Sequence, residues 1–128
     1  MPVNVRWEQQ PDILSVEFDA EWTEEEYTTA VESANTFVRE ASRPVTVLLD
    51  MSKGAVEPRG NPFSEGKQTL GAMPENVNRI CIIGGSAFTR AIMSTFFKIY
   101  RRPGMDVMLF ATKADAMRRI QALFPEHG

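Results

Sequence analysis

The sequence predicts one α/β domain built on a mostly parallel sheet, and three observations point there. Three short apolar runs, Val45-Thr46-Val47-Leu48-Leu49-Asp50, Arg79 to Ile83 and Asp106 to Phe110, read as buried strands with no polar face, the pattern of a parallel sheet covered on both sides. Segments with apolar residues at helical spacing lie between and after them, so strand and helix alternate. Two further extended segments come first, separated by a turn, and supply an antiparallel strand at one edge. The expected order is β-β-α-β-α-β-α-β-α, with right-handed crossovers.

Each element has its own local signal. Val3 to Glu8 and Ile13 to Phe18 are the opening pair. In the second, Leu14, Val16 and Phe18 alternate with Ser15 and Glu17, and Gln10-Pro11-Asp12 breaks the chain between the two. Thr23 followed by Glu26 is a capping box, and Tyr27, Ala30, Val31, Ala34, Phe37, Val38 and Ala41 follow on one helical face. Pro44 stops that helix before the first buried strand. Met51 to Pro62, with Gly54, Pro58, Gly60 and Pro62, is expected to be an exposed loop leading into a weak helix that carries Phe63, Leu70 and Met73 and closes at Pro74. After the second buried strand, Gly84-Gly85-Ser86 turns the chain into a helix from about Ala87 to Arg101, ended by Pro103-Gly104. The last strand is followed by a helix from about Lys113 to Phe124. Thr112 caps it, and Ala116, Met117, Ile120, Leu123 and Phe124 are expected to face inward.

Composition narrows the class. At 128 residues the chain is long enough for one core and short for two, so residues 1–128 are expected to be a single domain. Apolar runs such as Ile80 to Ile83 and Val107 to Ala111 fall far below the roughly 18 residues of a membrane span. Met1 to Val5 leads directly into a strand without the features of a signal peptide, so a cytoplasmic location without membrane insertion is expected. Cys81 is the only cysteine, lies within an apolar run and reads as core. Residues 1–76 hold 6 basic and 14 acidic side chains, whereas residues 77–128 hold 8 basic and 3 acidic ones. Within the second part Arg101-Arg102 and Arg118-Arg119 are isolated pairs at helix ends, without interleaved aromatics, so nucleic-acid binding is not expected.

Val47-Leu48-Leu49-Asp50-Met51-Ser52 is similar to the strand and Asp-Leu-Ser turn of the STAS-like domains, the fold of bacterial anti-sigma-factor antagonists and of the cytoplasmic domains of sulfate transporters. Leu109-Phe110-Ala111-Thr112 with Ala114-Asp115-Ala116 resembles the close of that fold, and the element order matches over nearly the whole chain. The resemblance implies an interaction or sensing module. In the anti-sigma antagonists a phosphorylatable serine followed by Ser-Gly begins the next helix, about nine residues beyond the aspartate; here that count reaches Arg59 and Gly60. Ser64 is several residues too far along, and Phe63 and Glu65 beside it do not reproduce the motif. No phosphorylation cycle is therefore expected. The chain looks closer to branches of the fold that resemble lipid-carrier domains.

Four surfaces are candidates for function. Asp50 and Ser52 end a buried strand, where open α/β sheets present ligand-facing residues, and the same side chains suit a turn in which they satisfy backbone groups. Glu57 and Arg59 follow in the exposed loop, the usual seat of recognition. Gly84, Gly85 and Ser86 offer either an anion-binding turn or a plain helix cap; the full phosphate-loop spacing is absent. In the following helix, Met93, Phe97 and Tyr100 form an apolar stripe beside that of Phe88, Ile92, Phe96 and Ile99. So wide an arc fits a larger core, a homodimer contact or a pocket for a small apolar ligand. The only histidine, His127, stands next to the last residue, which leaves no Ser-His-Asp or Cys-His set and no second nitrogen ligand for a metal. A carboxylate mechanism through Asp50 and Glu57 is not demanded by their spacing. The expectation is a non-catalytic, self-associating regulatory or scaffold domain that binds a partner protein, without a cofactor or metal. The alternative is a carrier or sensor of a small apolar or lipid-like molecule.

Overall fold

The computed structural model describes residues 3–9, 13–19, 22–53, 71–84, 86–100 and 102–123. Within them the order is β1 (Val3–Gln9), β2 (Ile13–Phe18), α1 (Glu24–Ala41), β3 (Val45–Met51), β4 (Val77–Gly84), α2 (Ala87–Ile99), β5 (Asp106–Phe110) and α3 (Lys113–Leu123). The five strands form one sheet in chain order, β1-β2-β3-β4-β5. β1 pairs antiparallel with β2 through Val3↔Phe18 and Trp7↔Leu14, and a bulge between Trp7 and Gln9 shifts the register. The remaining pairs, β2 with β3, β3 with β4 and β4 with β5, are parallel. The molecule is thus a mixed α/β fold with an antiparallel edge strand. The weak helix expected between Phe63 and Met73 lies almost wholly outside the described residues, of which Gly71 and Ala72 have helical backbone.

Strand periodicity sorts side chains onto two faces. One face takes Val3, Leu14, Val16, Phe18, Val45, Val47, Met51, Val77, Ile80 and Ile82, and it meets Ala30, Ala34 and Val38 of α1. Met93 and Phe97 of α2 pack against the same cluster. The opposite face takes Ile13, Leu48, Cys81 and Ile83, covered by Ala116 and Ile120 of α3, with Met108, Phe110 and Met117 at its margin. β3 and β4 are therefore buried on both sides, which explains their unbroken apolar runs. Burial pushes the Cys81 thiol from 9.0 up to about 11, against a smaller lowering by Arg79.

The helix ends follow their local chemistry. Thr23 caps α1: its hydroxyl accepts from the Glu26 backbone N–H at 3.1 Å, and the Glu26 carboxylate accepts from the Thr23 N–H at 2.8 Å. Ser42 closes the helix in the left-handed conformation, φ 55°. The Asn76 side-chain amide donates to the carbonyls of Val38 (2.6 Å) and Arg43 (2.9 Å), fastening this end of α1 to the start of β4. Thr112 accepts from the Asp115 N–H at 3.2 Å and caps α3.

Three expectations need correction. Asp106–Phe110 is not a buried strand: Asp106 is exposed and residues 107–110 are half-buried, because β5 is the last strand of the sheet. Leu123 does not face inward but is 37% exposed, beyond the last residue of α3 that reaches the sheet. β4 runs from Val77 to Gly84, longer than Arg79–Ile83, since Val77 pairs with Val45 and Gly84 with Met51.

Candidate functional site

Strands β2 to β5 run in one direction, so Phe18, Met51, Gly84 and Phe110 end on the same edge of the sheet. Such carboxyl edges hold the ligands of open α/β folds. At this edge the Asp50 carboxylate is buried, and one oxygen, Oδ1, accepts from the Ser52 backbone N–H (3.0 Å) and the Ser52 hydroxyl (2.5 Å). The turn is closed by the aspartate itself, in the manner of short polar side chains. Gly84 sits directly against it. Its φ is +79°, and a Cβ there would lie 2.7 Å from the Ser52 Cα, so both conformation and space require glycine. Next along the chain, the Ser86 carbonyl accepts the Arg90 N–H at 3.0 Å, the first turn of α2, and the Arg90 guanidinium reaches back to the Gly84 carbonyl at 3.4 Å.

Asp50, Ser52 and Gly84 therefore meet at one edge, with Ser86 following two residues beyond Gly84; Asp50 is buried, and Ser52, Lys53 and Ser86 are exposed. Glu57, Arg59 and Gly85 lie outside the described residues.

A charged group that the sequence did not single out extends the edge toward β1. Glu17, the register partner of Asp50, accepts from Arg6 across the β1-β2 pair. Lys53 stands 3.8 Å from Glu17 and 3.9 Å from Asp19. Glu8 meets both Arg6, at 3.6 Å, and Lys113 of α3. The hydrogen bond from Arg6 to Glu17, helped by the charges of Glu17 and Glu8, raises the guanidinium further above its ordinary value. The alternation of Ser15 and Glu17 with apolar residues in β2 is the one sequence signal of this polar face.

The fourth candidate surface, the apolar stripe of α2, divides. Met93 and Phe97 are half-buried against the larger core. Tyr100 stacks at a tilt on Phe96, ring centroids 5.0 Å apart, and Phe96 meets Phe97 edge-on at 4.9 Å. Beyond them, α2 leaves Ile99 62% exposed. Between α2 and β5 runs an open groove of about 290 Å³, lined by Phe97, Met105, Val107 and Leu109 with Lys98, Arg102 and Asp106 at its polar side. Arg102 also donates to the carbonyls of Met73 (3.0 Å) and Pro74 (2.5 Å).

Among the described residues no helix is long and apolar enough to cross a membrane, and no group of three or more His, Cys, Asp or Glu is arranged to hold a metal ion. Compared with protein-family models, with curated proteins and with solved structures, the chain matches none.

Proposed function

We propose that the chain is a STAS-like regulatory or scaffold domain of the cytoplasm, not an enzyme, which self-associates and offers the segment from Asp50 to Phe63 and the neighbouring Gly84-Gly85-Ser86 turn to a partner protein. The observation that carries this reading is the seating of the Asp50–Ser52 turn on Gly84. Recognition loops work best on a rigid base, and here the base is a turn whose buried carboxylate is bonded twice within it and whose Met51–Ser52 backbone lies against a glycine. The side chains around it, Ser52, Lys53 and Ser86, are exposed and polar, as a protein-binding rim requires. Turn chemistry uses Asp50 for structure, and that favours presentation over catalysis.

The test is capture of partners by the wild type and by the Glu57→Ala, Arg59→Ala double variant. Reduced capture by the variant is expected, with a melting temperature close to wild type, because the glycine- and proline-rich sequence of this segment implies surface positions, where substitutions usually change stability by less than about 0.5 kcal/mol. Equal capture by both removes the segment as the recognition surface. A hydrophobic compound that co-purifies and appears by native mass spectrometry, with no partner captured, turns the reading to a carrier of a small apolar ligand.

A further inference from the structure

The groove between α2 and β5 combines an apolar wall with charge of both signs. Phe97, Met105, Val107 and Leu109 form the wall, and Lys98, Arg102 and Asp106 stand at its polar side. All of them come from residues 94–109, the stretch that runs from α2 into β5, so the site is built without any distant segment. Its polar side lies at the start of β5, whereas Asp50 aligns through Ile83 with Phe110 at the other end of that strand. The groove is thus separate from the Asp50–Ser52 turn.

The charges of the groove do not satisfy one another. Lys98 and Asp106 are both exposed, and neither forms an ion pair with the other or with any described residue. The Arg102 guanidinium is held in place by the Met73 and Pro74 carbonyls to which it donates, with N–H donors to spare. Opposite charges that line one apolar groove without pairing suit a molecule that bears both charges itself. We propose that the groove binds a free α-amino acid with an apolar side chain. Its carboxylate meets Lys98 and Arg102, its ammonium meets Asp106, and its side chain lies against Phe97, Met105, Val107 and Leu109. Size agrees. At about 290 Å³ the groove is at the lower bound of small-molecule sites, a scale that suits an amino acid better than an acyl lipid. A simple apolar acid would set its carboxylate beside Asp106, and a simple amine would meet Lys98 and Arg102. Each carries a like-charge penalty that the zwitterion avoids.

An amide NMR titration of the full chain tests this, with leucine and with its two singly charged analogues: isocaproate, which lacks the ammonium, and isoamylamine, which lacks the carboxylate. Leucine is expected to give saturable shifts centred on residues 94–98 and 102–109. Each analogue should bind on the order of tenfold more weakly, the loss of one charged hydrogen bond. Asp106→Asn, at an exposed position, should weaken leucine by a similar factor while isocaproate gains, because its carboxylate no longer faces a like charge. Lys98→Ala should weaken leucine and isocaproate together. Isocaproate binding the wild type as tightly as leucine overturns the zwitterion and makes the groove a site for apolar acids. No saturable shift with leucine up to its solubility overturns the site itself, and leaves partner capture by the Asp50 to Phe63 segment to its own test.

Discussion

The two faces of the sheet solve the same burial problem with unequal means. Two helices cover one face, and its strand positions are apolar from β1 to β4. The other face has α3 alone among the described helices, and its apolar cluster stops at Ile13 and Leu48. Past that line, on β1 and β2, the outward positions are Arg6, Glu8 and Glu17, tied by ion pairs to one another, to Lys53 and to Lys113. Coverage by a helix decides which residues a strand can carry. The same strand β2 is apolar throughout its face toward α1, while on the α3 face it is apolar only at Ile13 and carries Ser15 and Glu17 beyond; β3 and β4, covered twice, show almost no alternation.

The largest test of this contrast uses one strand. Ile80 and Ile83 of β4 are both fully buried but point to opposite faces. Ile→Ala at either is expected to cost about 2–5 kcal/mol, with Ile80→Ala the costlier because a cavity between sheet and two helices relaxes less than one at the smaller cluster. Urea unfolding of the two variants measures it; a costlier Ile83→Ala would make the α3 face the principal core.

A smaller effect belongs to Cys81, on the α3 face. Its folded thiol titrates at about 11 and its ordinary value is 9.0. Above the lower value the unfolded chain loses a proton that the fold retains, so the contribution is full below pH 9 and disappears as pH rises toward 11. The stability difference between wild type and Cys81→Ala should therefore shift in favour of the variant across that window. A difference that is flat with pH would mean the thiol is open to solvent in the fold.

The smallest expected effect sits on the line between the charged and the apolar parts of that face. Ser15 is fully buried between its register partners Arg6 and Leu48, and its hydroxyl has no hydrogen-bond partner among the described residues. Ser15→Ala should be neutral or stabilising by up to about 1 kcal/mol, since a buried hydroxyl without a partner contributes nothing to offset its desolvation. Thermal melts decide it, and a loss beyond that size would reveal a bonded hydroxyl.

Much of the fold is legible in the sequence because its signals are local. The Thr23-Glu26 box, the alternation of β2 and the unbroken runs of β3 and β4 each announce an element without reference to the rest. Strand position within the sheet is not local. β5 has the composition of a central strand and lies at the edge, and only the order of pairing reveals this. Leu123 misled for a related reason, as helical spacing continues past the point where the sheet ends. At the candidate site, Asp50, Ser52 and Gly84 could each be named from the sequence, but not their contact, which depends on the Met51↔Gly84 register. The Arg6-Glu17-Lys53 group escaped notice because its members lie on three separate segments.

The strand order has a meaning in time as well as in space. Every strand after the first pairs with its immediate predecessor in the chain, β2 on β1 and so on to β5. A nascent chain emerging from the ribosome can extend this sheet one strand at a time, never holding a strand open for a distant partner. Helix α3 breaks the pattern. Ile13, Leu48, Cys81 and Ile83 are laid down earlier, yet among the described elements their helical cover comes with residues 113–123. Among the described elements, then, one side of the growing sheet gains its helices along the way and the other gains its helix at the end, so α3 completes the burial of some of the first residues to pair.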